Sequence, residues 1–290
     1  MTDEPYGSDA PEPLRHVEHV MGTVFSFDVR EVAPADRPRV RAALDGAVAG
    51  LHRVDELFST YRPDSQISRL GRGELTLSRC DPEVREVLRM CEEAEHRSGG
   101  WFSAHYAGRR PDPTGLVKGW AVERAARMLV SAGAGSVCVN GGGDVQVHGG
   151  PWRVGIADPL RRGELAAVVE ASGELAVATS GPAERGCHIL DPRTGLPPAE
   201  GLASAEGLAS AEGLASAEGL ASAEGLASVT VVATSLADAD AWATAACAMG
   251  AGRARPWLGR LPDAEAFVVT ADGSTWHTSG FTRHMAGLCV

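Results

Sequence analysis

The chain has 290 residues, a formal net charge of −11 at pH 7 and 44% hydrophobic residues. This length allows one large domain or two small ones, and the apolar content is sufficient for a sizeable core. The 27 basic residues form no evident basic face, so the composition argues against nucleic acid as a partner.

The N-terminus and the cysteines indicate the compartment. Residues 1–14 are acidic and rich in proline, which predicts a disordered tail. They contain no apolar core of the kind found in signal peptides, and no run in the chain approaches the roughly 18 apolar residues of a membrane span. The six cysteines are scattered without a Cys-x-x-Cys pair, which favours a reducing compartment over disulfides or zinc. We therefore expect a cytoplasmic protein with no membrane segment in this chain.

The first half of the chain predicts one strand and three helices. Alternating residues predict a strand over 24–29, and apolar residues at helical spacing predict helices over 39–58, 82–97 and 117–132. A loop rich in Ser, Asp and Gly separates the first two helices.

Short strands dominate the chain from residue 136 onward, and one helix of small residues is predicted over 236–249. The predicted strands are 136–140, 144–147, 152–157, 166–170, 175–179, 229–234 and 266–270. Strands grouped together and helices kept apart predict an α+β fold with a largely antiparallel sheet and flanking helices. We assign residues 15–290 to a single domain.

A hexapeptide, Ala-Glu-Gly-Leu-Ala-Ser, is repeated five times without substitution over 199–228. In a helix, a six-residue step turns each leucine by roughly 240°, so no apolar stripe forms. In a strand, each copy carries a weakening glycine and a charge. Five copies would build fewer than two coils of a β-helix. The repeat predicts a low-complexity surface loop, either flexible or partly helical.

Asn140-Gly-Gly-Gly-Asp144 lies between two predicted strands. Its glycines either let the backbone approach an anionic ligand closely or form a tight hairpin. The pattern is not Gly-x-Gly-x-x-Gly and a strand follows it, so it does not predict a dinucleotide-binding fold of the Rossmann type.

Asp240 and Thr244 are four residues apart and share one face of the predicted helix. Two oxygen ligands without His or Cys suit Mg²⁺ or Ca²⁺. The alternative is that Asp240 is a helix N-terminal charge stabilised by the helix dipole.

Two further residues have both a chemical and a structural interpretation. His188, beside the Asp191-Pro192 turn, is a candidate general base or a structural histidine. Lys118 is the one lysine among 27 basic residues. It marks either a site that needs a compact ammonium group or a chance survivor of an arginine-rich composition.

Seven ordered stretches resemble the FAD:protein FMN transferases of the ApbE family, over roughly residues 17 to 285. They are Met21-Gly-Thr23, Phe58-Ser-Thr-Tyr61, Gly115-Leu-Val-Lys-Gly-Trp-Ala-Val122, the Asn140–Asp144 turn, Thr179-Ser-Gly181, His188-Ile-Leu-Asp-Pro-Arg-Thr-Gly195 and Ala239-Asp-Ala-Trp-Ala-Thr-Ala245. The resemblance implies an ApbE-like fold and a Mg²⁺-dependent enzyme. Such an enzyme splits FAD, moves FMN onto a Ser or Thr hydroxyl of a target flavoprotein and leaves AMP.

The resemblance also implies which residues form the site. By position, Asp240, Thr244 and the main-chain carbonyl of Ala121 would hold the metal. The residues that would line the FAD site are Met21, Tyr61, Trp101, Phe102, Ser103, Lys118 and Leu190.

Three features depart from the family pattern. Ser103 stands where an Asp is usual, which puts one contact to FAD or the target in doubt. The second residue of the glycine turn is Gly in place of the commoner Ala. One copy of the repeat would be enough to connect the Asp191–Gly195 segment to the next strand, so four copies are surplus. We interpret the repeat as a tandem expansion without a role.

Two alternatives to the transferase remain open from the sequence. A Mg²⁺-dependent FAD pyrophosphatase would use water in place of the acceptor hydroxyl, and a flavin-binding protein would hold FAD without turnover. The Asp240–Thr244 pair favours the enzymes, whereas Ser103 favours the binding protein.

Overall fold

The computed structural model describes residues 12–105, 110–181, 189–193, 195 and 225–286. Within these ranges the helices are α1 (Arg37–Phe58), α2 (Gln66–Gly71), α3 (Pro82–Arg97), α4 (Thr114–Ser131), α5 (Leu236–Met249) and α6 (Ala251–Leu258). Two short 3₁₀ turns lie at Leu77–Arg79 and Phe281–His284. The four helices predicted from periodicity are all present, and α4 begins three residues earlier than predicted.

Ten strands are described: β1 (Leu14–Val20), β2 (Thr23–Val32), β3 (Ala134–Gly141), β4 (Asp144–His148), β5 (Trp152–Ala157), β6 (Leu165–Ala171), β7 (Leu175–Ser180), β8 (Leu226–Ala233), β9 (Ala264–Thr270) and β10 (Thr275–His277). Eight form one sheet in the order β1-β2-β3-β4-β7-β8-β9-β10, and β5 pairs with β6 separately. All described strand pairings are antiparallel. The predicted α+β class with a largely antiparallel sheet is confirmed.

The sheet is buried on both faces. On one face Val139, Ala178 and Val231 pack against the helices. On the other, Val147 and Val177 pack in a second cluster with Trp152 of the β5–β6 pair. Alternate residues of a strand point to opposite faces, so valine and alanine at successive positions of β7 and β8 supply both clusters.

Helix α5 is buried on nearly all sides because its residues are small. Twelve of its 14 residues are buried, and it contacts α4 on one side and β7 and β8 on the other.

A membrane span requires about 20 apolar residues. Among the described residues, no helix combines the length and the apolar character needed to cross a bilayer.

Several elements were not predicted from the sequence. Helix α2 lies within the predicted loop, and α6, β1 and β10 are additional elements. Leu14, the last residue of the predicted tail, begins β1 and is buried.

The end of the hexapeptide repeat belongs to the sheet. Residues 226–228 form the start of β8, where Ser228 pairs with Val269 of β9. The strand therefore begins three residues before its predicted start, inside the fifth copy of the repeat. Residues 199–224 of the predicted loop lie outside the described residues.

Candidate functional site

Seven of the predicted site residues line one cleft beside α4 and α5. The cleft is formed by residues 101–103, 112–118, 179–181 and 189–192 together with α5, and its empty volume is about 780 Å³ including the open mouth. The predicted residues in its lining are Trp101, Phe102, Ser103, Lys118, Leu190, Asp240 and Thr244.

The lone lysine forms a buried ion pair at this cleft. Lys118 Nζ lies 2.7 Å from Asp144 Oδ2, and the two side chains are 13% and 1% exposed. Asp144 Oδ1 also accepts a hydrogen bond from the Thr179 backbone N–H at 3.2 Å. A buried charge is tolerated only when it is paired and hydrogen-bonded, so Asp144 fixes the lysine ammonium at the cleft wall.

The glycine turn forms the β3–β4 hairpin, which supports the structural alternative from the sequence. Gly143 N–H donates to Asn140 Oδ1 at 2.9 Å. Gly142 has φ +61°, and a Cβ there would lie 2.4 Å from Thr23 Oγ1. Among the described residues, Gly141–Gly143 do not contribute to the cleft lining. The turn acts on the cleft through Asp144, which directly follows the glycines.

Asp240 and Thr244 lie on the side of α5 that contacts α4 at Gly115 and Gly119. Asp240 is 3% exposed, and its Oδ2 accepts the Gly119 backbone N–H at 3.1 Å. Thr244 Oγ1 lies 3.4 Å from Ser180 Oγ and 3.1 Å from the position that a Cβ on Gly115 would take. The carboxylate and the hydroxyl therefore occupy the same cleft one helical turn apart.

The predicted main-chain ligand is not part of the described cleft lining. Ala121 is buried and is not among the residues that line the described cleft, whereas Gly115 is. Gly115 lies one helical turn before Gly119, whose backbone N–H donates to Asp240. The part of the α4 backbone that reaches the cleft is therefore that of Gly115.

The aromatic side of the cleft carries positive charge at its rim. Trp101 and Phe102 are 8% and 3% exposed. The guanidinium carbons of Arg193 and Arg253 lie 4.1 Å and 5.3 Å from the Trp101 ring centre, within the range of cation–π attraction. Ser103 Oγ donates to Glu95 Oε2 at 3.3 Å and accepts from His105 N–H.

Two of the predicted FAD residues, Met21 and Tyr61, lie outside the described cleft lining. Met21 is half-buried in the β1–β2 turn with φ 55°, and Tyr61 is 96% exposed. Neither is among the residues that line the cleft in the described part of the chain. His188, the predicted base, lies outside the described residues.

The oxygen groups in the cleft suit a magnesium ion that takes its remaining ligands from a substrate and water. They are too few for a metal ion that takes all its ligands from the protein. In the described ranges, no group of three or more His, Cys, Asp or Glu side chains is arranged to hold a metal ion. Mg²⁺ is commonly bound by one or two carboxylates together with substrate phosphates and water. One buried carboxylate, one hydroxyl and a nearby carbonyl therefore fit a magnesium ion that is completed by a phosphorylated ligand.

A thiol beside the cleft is unsuited to nucleophilic chemistry. Cys247 is buried, and its Sγ donates to the carbonyl of Ser180, a cleft residue, at 3.3 Å. Burial raises the pKa of this thiol to about 12. Because the thiolate is the reactive form, Cys247 stays protonated and inert at neutral pH.

Three acidic residues at or near the cleft were missed as functional candidates. Asp112 lines the cleft, and its Oδ1 accepts the Thr114 N–H at the start of α4. Asp144 pairs with Lys118, and Glu123 is buried between α4 and α5. For Asp144 the signal was its position after three glycines. The contacts of the other two depend on how segments meet in the fold.

Comparison with known proteins assigns the family. The model of the ApbE family matches residues 21–109, 108–223 and 213–268. An FAD:protein FMN transferase of Vibrio cholerae is 25% identical over 255 residues, covering 66% of this chain and 75% of the relative. One from Rhodobacter capsulatus is 43% identical over 93 residues, covering 28% of this chain and 18% of the relative.

The fold is similar to that of a solved ApbE protein from Thermotoga maritima. The TM-score is 0.76 at 19% identity, and the alignment covers 95% of this chain and all of the other. The family match extends over most of the chain and includes the segments that build the cleft. The chain belongs to the ApbE family.

Proposed function

We propose that this protein transfers FMN from FAD to a Ser or Thr hydroxyl of a target flavoprotein and releases AMP in a Mg²⁺-dependent reaction. The observation that carries the proposal is the placement of Asp240 and Thr244 in one cleft with the buried Lys118 and the aromatic Trp101–Phe102 pair. The relatives named FAD:protein FMN transferase support the same activity.

The oxygen atoms on α4 and α5 would hold the metal. Asp240 supplies the charged ligand and Thr244 a hydroxyl. We assign the main-chain carbonyl to Gly115, which lines the described cleft, in preference to Ala121, which does not. When bound, Mg²⁺ would neutralise charge that develops on the FAD diphosphate. The protein's contribution is to fix the ligand geometry and to exclude water from the cleft.

The remaining residues would bind and orient the flavin nucleotide. Lys118 presents an ammonium group held by Asp144, which suits a diphosphate oxygen. Trp101 and Phe102 offer aromatic faces for a flavin or adenine ring. Ser103, whose hydroxyl contacts Glu95, and Leu190 would complete the lining. We also propose Met21 and Tyr61 as FAD contacts, and for these two residues the proposal rests only on the resemblance to the family pattern.

His188 is the proposed base that takes the proton of the acceptor hydroxyl. A histidine of ordinary pKa is suited to this step near neutral pH. The described segment that follows it, residues 189–192, lines the cleft. A cytoplasmic location also belongs to the proposal. It is supported by the four described cysteines, which are free thiols, as expected in a reducing compartment.

The direct test follows the products of FAD. The protein is incubated with FAD and Mg²⁺, with and without a flavoprotein acceptor, and AMP, free FMN and protein-bound FMN are measured. Transfer predicts AMP and bound FMN in equal amounts. Equal amounts of AMP and free FMN, even with acceptor, would identify a pyrophosphatase, and intact FAD would identify a binding protein.

A variant of Asp240 serves as the matched control for this test. Asp240→Asn keeps the shape of the side chain and removes the charged ligand. We expect it to fold and to lose Mg²⁺-dependent product formation, because several kcal/mol of stabilisation at the phosphoryl group depends on the metal. Normal turnover by the folded variant would contradict the metal assignment.

A further inference from the structure

One face of α4 is built to contact α5. Gly115, Gly119 and Glu123 are spaced by four residues and lie on the same side of the helix. A Cβ on Gly119 would lie 2.5 Å from the Leu236 carbonyl oxygen, and one on Gly115 would lie 3.1 Å from Thr244. The two glycines allow the helix backbones to approach closely. Because glycine has no side chain, these two residues cannot set the position of α5 along the axis of α4 through a side-chain contact.

Glu123 provides a side-chain contact to α5, which glycine cannot make. Its side chain is 6% exposed. Its Oε2 accepts hydrogen bonds from the Ser235 hydroxyl at 3.0 Å, the Leu236 N–H at 2.8 Å and the Ala237 N–H at 3.1 Å. Its other oxygen pairs with Arg127, one turn further along α4. A single carboxylate from α4 therefore binds three donors at the start of α5.

These contacts cap α5 from outside its own sequence. The first N–H groups of a helix have no partner within it, and the helix dipole favours a negative charge at this end. Ser235, the local cap, accepts only the Asp238 N–H, at 3.3 Å. The Leu236 and Ala237 N–H groups are satisfied by Glu123. The beginning of α5 is thus attached to a defined point on α4.

The attachment point is close to the proposed cation site. Asp240 is three residues beyond Ala237, and the N–H of Gly119, one turn before Glu123, donates to Asp240. The ligand oxygens on α5 and the groups on α4 therefore share one helix–helix contact, with Glu123 at one end and Gly115 at the other.

We propose that Glu123 is a positioning residue that sets the displacement of α5 along α4 and thereby the affinity of the Asp240–Thr244 site for a divalent cation. This inference rests on the proposed function for the identity of the cation site. Residues that orient the ligands of a metal, without touching it, typically change its affinity by about 10- to 100-fold when they are replaced.

The test compares cation affinity in Glu123→Gln and in Arg127→Ala. Gln keeps the size of Glu123 but loses its charge and presents an amide NH₂ to groups that are themselves donors. Arg127→Ala removes the exposed ion-pair partner and leaves the three contacts to α5 intact. Mn²⁺ alone is titrated into each protein, and free Mn²⁺ is measured by its electron paramagnetic resonance signal. FAD affinity is measured in EDTA from the quenching of flavin fluorescence.

We expect Glu123→Gln to weaken Mn²⁺ binding by about tenfold or more, with FAD affinity in EDTA unchanged and Arg127→Ala like the wild type. A merely structural role would reduce the folded fraction and leave the Mn²⁺ affinity of the folded molecules as it was. If Glu123→Gln does not fold, Ser235→Ala decides the question. It removes one of the three donors, and a smaller loss of Mn²⁺ affinity is expected.

The outcomes separate this inference from the proposed function. Unchanged Mn²⁺ affinity in folded Glu123→Gln, or in Ser235→Ala where that variant decides, overturns the inference while wild-type flavin transfer stands. Wild-type protein that binds Mn²⁺ but transfers no flavin overturns the transferase and leaves the inference supported by the variants. Wild-type protein that binds no Mn²⁺ on its own overturns the inference, whereas the transferase is then decided by the product assay, because FAD completes the proposed cation site.

Discussion

The position of Lys118 in the fold gives a physical reason for the one lysine in an arginine-rich chain. In a chain whose other basic residues are all arginine, the single lysine lies at a cleft wall with Asp144 at 2.7 Å. An ammonium group is compact, whereas a guanidinium is a wide planar fork. The buried ion pair with Asp144 favours the smaller cation at this position.

Lys118→Arg is therefore expected to weaken FAD binding by about tenfold, equivalent to about 1.4 kcal/mol, because the larger group no longer fits between Asp144 and the ligand. Arg89→Lys, an exchange on the exposed face of α3, is the control and should leave FAD affinity unchanged. Fluorescence titration with FAD measures both. Equal affinities for Lys118→Arg and the wild type would attribute the lone lysine to chance.

His188→Asn tests the proposed base. Loss of a general base lowers a rate by roughly 10²- to 10⁴-fold, and we expect this loss in FMN transfer with FAD affinity nearly unchanged. The measurement pairs the transfer rate with an FAD titration of the same sample. A parallel loss of FAD affinity would make His188 a ligand-binding or structural residue, and the base would have to be sought elsewhere.

At the scale of elements, the contact between α4 and α5 determines the site. Gly119 packs against the backbone of α5, so the space for a side chain is absent. By contrast, Gly50 in α1 has no atom within 4 Å of the position that its Cβ would occupy. A Gly→Ala substitution can therefore be compared at a crowded position, Gly119, and at an open one, Gly50.

We expect Gly119→Ala to lower the free energy of unfolding by about 1–3 kcal/mol or more, since forcing atoms into a packed contact has costs of this size. Gly50→Ala should raise it by about 0.5–1 kcal/mol, because alanine favours the helix. Urea unfolding followed by circular dichroism measures both changes. Gly119→Ala that is as stable as the wild type would show that the helices separate without penalty.

The elements that the sequence did not predict have weak local signals. Strand β1 reads Leu-Arg-His-Val-Glu-His-Val and buries only its first and last residues, so its alternation is masked by polar side chains. Helix α6 contains Pro256 and directly follows Gly250. Helix α2 has six residues, too few for a periodic pattern. Their formation depends on contacts with the sheet and the longer helices.

The same division between local and tertiary information applies to the site. Asp240 and Thr244 were predicted to share a face because helix geometry is a local property. The pairing of Lys118 with Asp144 and the contacts of Glu123 with Ser235 join segments 26 and 112 residues apart. The order of the motifs predicted that these residues lie near one another, but the individual contacts between them were visible only in the fold.

At the scale of the whole molecule, the repeat ends within a strand that has neighbours on both sides. The last Leu-Ala-Ser forms the start of β8, between β7 and β9. All five copies are identical, so a shortened repeat would still supply this segment. After deletion of residues 205–228, Leu202, Ala203 and Ser204 would take the places of Leu226, Ala227 and Ser228.

This deletion of 24 residues should raise the free energy of unfolding by roughly 1 kcal/mol at most, if the repeat is a flexible loop. Loop-closure entropy changes by only about 0.6 kcal/mol for each doubling of length. FAD binding and FMN transfer should be unchanged. Urea unfolding, FAD titration and the transfer assay are compared with those of the full chain. A loss of several kcal/mol or of activity would mean that the repeat packs on the domain or shapes the cleft.

We propose that the cleft between α4, α5 and residues 101–103 binds Mg²⁺ and FAD for flavin transfer. A crystal structure with FAD and Mn²⁺ would test this proposal, since Mn²⁺ shares the preference of Mg²⁺ for oxygen ligands and is located by anomalous scattering. We expect a manganese peak within about 2.5 Å of Asp240 and Thr244 oxygens, with the FAD diphosphate bound to it beside Lys118. FAD or manganese bound elsewhere, with this cleft empty, would mean that the proposed site is wrong.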